Sequence, residues 1–290
     1  MEHSTLHENK LHGKITFPYI VYRGNIPEYI SSYPLHWHDE MEIIYVVSGT
    51  GYVTADTCRY LLHPGDIVLL PPQIVHSIEQ FEETSMEYFN ILFHFSLLRD
   101  SAGDSCFEKY LRPLFEHQIT LPLYLQSTKE PALLLKPYLE DLISNRSQSY
   151  TGYELMVKSN LFAIMHLLNK YSSPADEENR SIRNASDRLK KVLLYIRENY
   201  DQEISVQTAA SICGFSESHF MKLFHLLTGS SFTQYLKNYR LEIAAQQLLK
   251  GDQKITEIAQ NTGFHNLSYF TRSFTEKYGM TPKKYQTGVK

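Results

Sequence analysis

The chain has 290 residues, enough for about two domains that each bury a core. With 42% hydrophobic and 21% charged residues, it reads as an ordinary soluble globular protein, and no apolar run approaches the roughly 20 residues of a membrane span. The net charge of −4 hides a division: residues 186–290 carry fourteen Lys and Arg against nine Asp and Glu (+5), and residues 1–185 carry fourteen against twenty-three (−9).

The N-terminal "MEHSTLHENK" is polar and has no apolar h-region, so a secretory signal is not expected. Cys58, Cys106 and Cys213 are odd in number, far apart and without a CxxC pattern. Neither a disulfide framework nor a zinc cluster is indicated, and a reducing cytoplasm is the expected location. Residues 15–97 predict strands: "KITFPYIVY", "MEIIYVVSG", "GYVTA", "GDIVLLP" and "YFNILFHF" are β-rich runs separated by Gly, Pro and Asp turns. Many short strands with close turns indicate a sandwich or small barrel. Residues 131–171 change period, with Leu155, Leu161, Phe162, Met165 and Leu168 at helical spacing, and predict a helical pair. The polar "SSPADEENRSIRNAS", residues 172–186, is the expected linker. A helix is then predicted with Ser186 as N-cap and a stripe of Leu189, Val192, Leu193, Ile196 and Tyr200.

Two segments carry residues of chemical interest. In "HWHDEMEIIYVVSG", strand alternation puts His36 and His38 on one face with Trp37 opposite, and Glu42, Ile44 and Val46 on one face of the next strand. "GDIVLLPPQIVH" closes at His76. These groups could hold a transition metal of the Fe, Mn, Ni or Zn class, bind the hydroxyls of a small effector, or cap strand ends. Arg23 and His94, in strand-like runs, are further candidates for lining a pocket.

The last third repeats itself. Across residues 208–236 and 257–285, Ala210 matches Ala259, Gly214-Phe215 matches Gly263-Phe264, and, after a one-residue insertion, Phe220, Lys222, Phe224, Gly229 and Tyr235 match Phe270, Arg272, Phe274, Gly279 and Tyr285. Each copy reads as a helix-turn-helix: a small residue where helices cross, a Gly for the turn, and a second helix burying two Phe. The opposite face presents Ser218, Met221 and Lys222 in the first copy and Leu267, Ser268, Thr271 and Arg272 in the second. A small, polar, cationic face suits a major groove. The connecting segment 232–250 predicts one helix of about 28 Å, ending at Gly251. Successive major-groove entries on one side of B-DNA are about 34 Å apart, so both recognition helices could reach adjacent groove segments.

The segments "ICGFSESHFMKLF", "IAQNTGFHNLSYFTRSF" and "YGMTPKKY" resemble the DNA-binding domain of AraC/XylS-family transcription regulators over residues 187–290. That resemblance implies two helix-turn-helix units in adjacent major grooves and assigns base and backbone contact to the seven residues just named; Met221 stands where a polar side chain is more usual. The spacing His36-x-His38-x3-Glu42-x6-Gly49, with Gly65-x5-Pro71 and His76, resembles the two motifs of the cupin superfamily. Ile30 and Gln73 stand where those motifs prefer Gly. In metal-binding cupins these histidine and glutamate positions hold a transition metal; sensor domains of this regulator family often keep histidines there without one.

The expected molecule therefore has a mixed fold in two domains. Residues 1–171 form a cupin-like double-stranded β-helix with a helical extension (barrel about 15–97, helices about 131–171), residues 172–186 a linker, and residues 187–290 an all-α tandem helix-turn-helix. It is expected to be a transcription regulator and no enzyme, with double-stranded DNA and a small-molecule effector, a sugar among the candidates, as partners. A homodimer, no membrane contact and no cofactor are expected. The effector set is Arg23, His36, His38, Glu42, His76 and His94. The alternative is a metal-dependent cupin holding its ion with His36, His38, Glu42 and His76.

Overall fold

The computed structural model of the protein describes residues 7, 8, 12–27, 32–101, 103–148, 150–251 and 253–288. Ile30 lies outside them. The period-two segments form β1 (Tyr19–Ile26), β2 (Ser32–His36), β3 (Met41–Gly49), β4 (Gly51–Ala55), β5 (Cys58–Leu62), β6 (Ile67–Leu70), β7 (His76–Gln80) and β8 (Met86–Phe93). Apart from the β4–β5 hairpin, the chain alternates between two antiparallel sheets, one ordered β1-β8-β3-β6 with a fifth strand beside β6, and the other β2-β7-β4-β5. This is the winding of a double-stranded β-helix. Its tenth strand, β10 (Tyr124–Leu125), comes from beyond the strand-like run and pairs with β6. Residues 95–125 also form a 3-10 turn, a π-helical turn, α1 (Arg112–Phe115) and β9 (Ile119–Thr120). That stretch is too short-ranged in its pattern to declare itself in sequence.

Alternation along β3 decides what each face does. Glu42, Ile44 and Val46 point inward, and Ile44 and Val46 pack with Val53, Val68, Ile78, Met86 and Tyr88 in the barrel core. Met41, Ile43 and Tyr45 point outward and meet α2 (Glu130–Ser144) and α3 (Tyr153–Lys170), whose Leu135, Leu139, Leu161, Met165 and Leu168 complete a second core. Each fully buried Leu or Ile there contributes roughly 1.5–3 kcal/mol. The two helices thus cover the outer face of the five-stranded sheet. Leu155 (74% exposed) and Phe162 (39%), placed in the same stripe by their spacing, face outward instead. Gly49, at φ 76, closes the β3–β4 turn so tightly that a Cβ would stand 1.8 Å from the Ser85 carbonyl oxygen. Gln73 occupies the left-handed region at φ 67, which explains the preference for Gly there.

The chain divides into two compact units between Arg183 and Asn184. The polar segment 172–186 is not an irregular linker. It holds β11 (Ser173–Pro174), paired with β9, and the first turns of α4 (Glu177–Asn199). Ser186 does not cap α4. It is fully buried inside the helix, in line with Leu189, Val192, Leu193 and Ile196. A small hydroxyl residue on an apolar stripe has the same appearance in sequence as an N-cap, which explains the misplacement.

The C-terminal unit continues with α5 (Val206–Cys213), α6 (Glu217–Thr228), α7 (Phe232–Lys250), α8 (Ile255–Asn261), α9 (Leu267–Tyr278) and α10 (Pro282–Thr287). Its helix ends follow from local chemistry. Ser205, Ser216, Ser231, Asn266 and Thr281 each accept a main-chain N–H two or three residues into the next helix, and Gly214, Gly229, Gly251 and Gly279 end helices in the left-handed conformation. The repeat is visible in the packing. Phe224 meets Tyr235 at 5.3 Å and 81°, and Phe274 meets Tyr285 at 5.3 Å and 80°.

Candidate functional site

The barrel site is built where β2, β3 and β7 converge. His36 ends β2, His76 opens β7, and the two are directly paired in register. Their rings lie 4.1 Å apart, His38 lies 5.1 Å from His76, and one ligating nitrogen of each histidine falls within 4.8 Å of the other two. Glu42 Oε2 stands 2.9 Å from His38 Nε2 and 3.1 Å from His76 Nε2. The structure therefore brings together His36, His38, Glu42 and His76.

Main-chain carbonyls orient two of these rings. His36 Nδ1 lies 2.8 Å from the Pro34 carbonyl oxygen, and His76 Nδ1 lies 2.9 Å from that of Ile74. With Nδ1–H donating, each ring turns Nε2 towards the cluster. Burial, with the neighbouring His76, pushes the His36 pKa down to about 3, so this ring is neutral at physiological pH. Burial also opposes charge on His76, but the Glu42 carboxylate 3.1 Å away outweighs it and raises its pKa. Burial would raise the Glu42 pKa, yet the hydrogen bond from His38 and the closeness of His76 hold the carboxyl well below the usual range. The network is not saturated. Among the described residues, Nδ1 of His38 and Nε2 of His12 have no hydrogen-bond partner, and Nε2 of His76 is near Glu42 without hydrogen-bond alignment. Unmet polar atoms in a buried site are costly unless a ligand meets them.

Sequence reasoning missed the N-terminal contribution. The Glu8 main-chain N–H donates to the Trp37 carbonyl oxygen at 2.9 Å, which lays residues 7 and 8 beside β2. His12, 3% exposed, reaches Tyr22 Oη at 3.4 Å and packs 5.8 Å from the His38 ring. Glu8 lies 3.7 Å from His12 and 3.9 Å from His36, and His12 above all holds the Glu8 carboxyl down at about 2. Three histidines within the first twelve residues were the available signal. Asn90 also went unread. It pairs with Tyr22 and Ile44 in register, and its buried Oδ1 is unmatched.

Arg23 and His94 do not belong to this site. Arg23 alternates with the inward Tyr22 and Gly24, lies opposite the outward Phe89, and pairs with Glu87 at 2.7 Å with its side chain 63% exposed. His94 falls beyond β8 and caps the 3-10 turn, where Nδ1 accepts from the Ser96 N–H at 3.2 Å.

The second site is the outer face of α6 and α9. Phe220, Phe224 and Leu227 anchor α6, and Phe270, Ser273 and Phe274 anchor α9. Ser218, Met221 and Lys222 are exposed on α6; Leu267, Ser268 and Arg272 are exposed and Thr271 half-buried on α9. An open concavity of about 870 Å³ is lined by Leu267, Ser268, Thr271, Arg272, Thr275 and Glu276. The cations sort into two kinds. Lys277 binds Glu242 at 2.6 Å and Arg240 binds main-chain carbonyls, whereas Lys222 and Arg272 have no ion pair or hydrogen bond among the described residues. A cation held out without a partner, on a helix locked by buried Phe, is available to phosphate or guanine.

Comparison with known proteins follows this division. Residues 188–288 match a family model described as a helix-turn-helix domain, and residues 26–165 match an AraC-like ligand binding domain. The uncharacterized HTH-type transcriptional regulator YdeC of Bacillus subtilis is 23% identical over 95% of this chain and 94% of its own. YfiF of the same organism, also an uncharacterized HTH-type transcriptional regulator, is 28% identical over 91% and 82%. Among solved structures, unsaturated fatty acid bound ToxT from Vibrio cholerae is 15% identical, with a TM-score of 0.40, over 93% of this chain and 96% of that one.

Proposed function

We propose that this chain, which belongs to the AraC-type helix-turn-helix transcription regulators, reads DNA with α6 and α9 and senses an effector at the histidine end of its barrel. The observation that carries the DNA half is the pair of unpartnered cations, Lys222 and Arg272, at matched positions of duplicated helices. α7 has 19 residues and is about 28 Å long, close to the spacing of successive groove entries. Ser218, Ser268 and Thr271 supply hydroxyls to base or phosphate, and Met221 and Leu267 supply apolar contact suited to a thymine methyl.

The sensing half rests on the unsatisfied buried polar atoms around Glu42. An effector carrying hydroxyl groups would donate to neutral His36 Nε2 and to His38 Nδ1 and accept from His76. His12, Tyr22 and Asn90 extend the same polar end. Differential binding of such a molecule to two states of the protein would shift the DNA-binding population. Leu155 and Phe162, seven residues apart on α3, expose one apolar face that a homodimer would cover. The described residues contain no helix long and apolar enough to cross a membrane.

A second reading has a specific observation behind it. Three imidazoles and one carboxylate within ligating reach, two of the rings oriented by backbone carbonyls, fit a divalent transition metal. His36, His38, His76 and Glu42 would hold it, and it would supply a Lewis-acidic anchor for an oxygen ligand. Elemental analysis with thermal melts in chelator separates the readings. Stoichiometric metal and a large chelator-induced drop in Tm support the ion; no metal and an unchanged Tm support the effector pocket.

A further inference from the structure

α7 connects the two helix-turn-helix units, and one of its side chains touches the approaches to both. Arg240 donates from Nε to the Tyr200 carbonyl oxygen at 2.6 Å and from Nη2 to that of Gln202 at 2.7 Å. Those carbonyls lie just past the end of α4, in the turn that leads to α5 and the first unit. Carbonyls at a helix C-terminus lack intrahelical partners and carry partial negative charge, so a guanidinium is well matched to them.

The same guanidinium packs against the turn of the second unit. Gly263, at φ 80 between α8 and α9, approaches so closely that a Cβ there would lie 2.8 Å from Arg240 Nε, 2.9 Å from its Cζ and 2.9 Å from the Tyr200 carbonyl oxygen. The equivalent Gly214 of the first unit, at φ 68, has nothing within 4 Å of such a Cβ. Gly214 is thus required by its backbone angle alone, and Gly263 by angle and by close approach. Tyr200 also packs edge-on to Tyr239, and Lys277 of α9 reaches back to Glu242 and the Asn238 carbonyl oxygen of α7.

The geometry points to Arg240 as the positioning residue that fixes the second recognition helix relative to the first, and so sets the half-site spacing the protein accepts. This rests on the reading that both units contact DNA. Two short hydrogen bonds and a glycine-tight contact hold the guanidinium against these turns. Its effect on DNA therefore passes through the angle between α6 and α9.

The test uses the full chain and a duplex selected by it from a random-sequence pool, together with the same duplex carrying one extra base pair between the two protected segments. Affinities are measured by anisotropy at several salt concentrations, and circular dichroism checks the fold. The native chain should discriminate against the lengthened duplex at least tenfold. Arg240→Ala should bind the selected duplex about tenfold more weakly and lose most of the discrimination, with an unchanged salt slope. Arg240→Lys, which can reach one carbonyl, should fall between, and it carries the test if Arg240→Ala does not fold. Retained spacing discrimination in a folded variant would overturn the assignment. A salt slope lower by about one would also overturn it, because that marks a lost phosphate contact. If the native chain enriches no duplex from the pool, or protects only one segment of the enriched duplex, the two-unit DNA reading itself fails, separately from the role of Arg240.

Discussion

In the barrel, His38, Glu42 and His76 have side chains no more than 3% exposed, and one carboxylate oxygen serves two imidazoles. On α6 and α9, Lys222 and Arg272 are exposed and touch no charged partner among the described residues. The first arrangement makes each group dependent on its neighbours. The second leaves each group independent of its neighbours. Substitutions in the barrel should therefore be large and non-additive, and substitutions on the recognition helices moderate and nearly additive.

The largest effect is expected at Glu42. Glu42→Ala leaves His38 and His76 buried without their common acceptor, and breaking such a pair costs about 3–5 kcal/mol. Urea denaturation monitored in the barrel should show this loss. His76→Ala added to Glu42→Ala should cost much less than it does alone. Equal costs in both backgrounds would mean that the network is not coupled.

Next comes pH, measured in chelator. The folded pKa of His36 is about 3 and its unfolded value is near 6.5, so the unfolded state binds one more proton between them. Its share of stability is complete above pH 6.5 and falls by up to about 1.4 kcal/mol per unit as the pH drops. His76 has the opposite sign. Its raised pKa gives stability that is complete below 6.5 and lost as pH rises through the folded value. Glu42, held low, gives stability that is complete above its ordinary value near 4.5 and is lost on further acidification. Between pH 6.5 and 4.5, the acid-side loss should therefore flatten in His36→Asn. An unchanged slope would remove His36 from the neutral role assigned to it.

On the DNA face, Lys222→Ala and Arg272→Ala should each cost about 1–3 kcal/mol of binding to a selected duplex where a base contact is lost. The double variant should lose nearly the sum, with the fold intact by circular dichroism. The smallest effect is expected at Arg23. Its solvent-exposed pair with Glu87 is screened by water, so Arg23→Ala should leave the urea midpoint, effector response and DNA binding unchanged.

The same contrast explains what could be read from sequence. The recognition helices repeat a local grammar, so Phe220, Lys222, Phe270 and Arg272 declare their faces through helical periodicity alone. Within the strands, alternation put His36 with His38 and Glu42 with Ile44 and Val46, whereas Arg23 alternates with Tyr22 and Gly24, which face in. His12 and Glu8 come from a segment without periodicity, and only tertiary contact with β2 and Tyr22 brings them in. The first half of α4 was hidden for a related reason. Ile182 is its one large apolar residue before Leu189, so composition imitated a loop although the backbone continues a helix.

Hydroxyl-radical footprinting of the full chain on a selected duplex tests the two-unit DNA reading most directly. The native protein should protect two patches on one face of the duplex, about one helical turn of 34 Å apart. Arg272→Ala at saturating protein should lose one patch and keep the other, and Lys222→Ala should do the reverse. A single patch, or equal loss of both patches in each variant, would contradict the assignment of α6 and α9 as separate readers of one site.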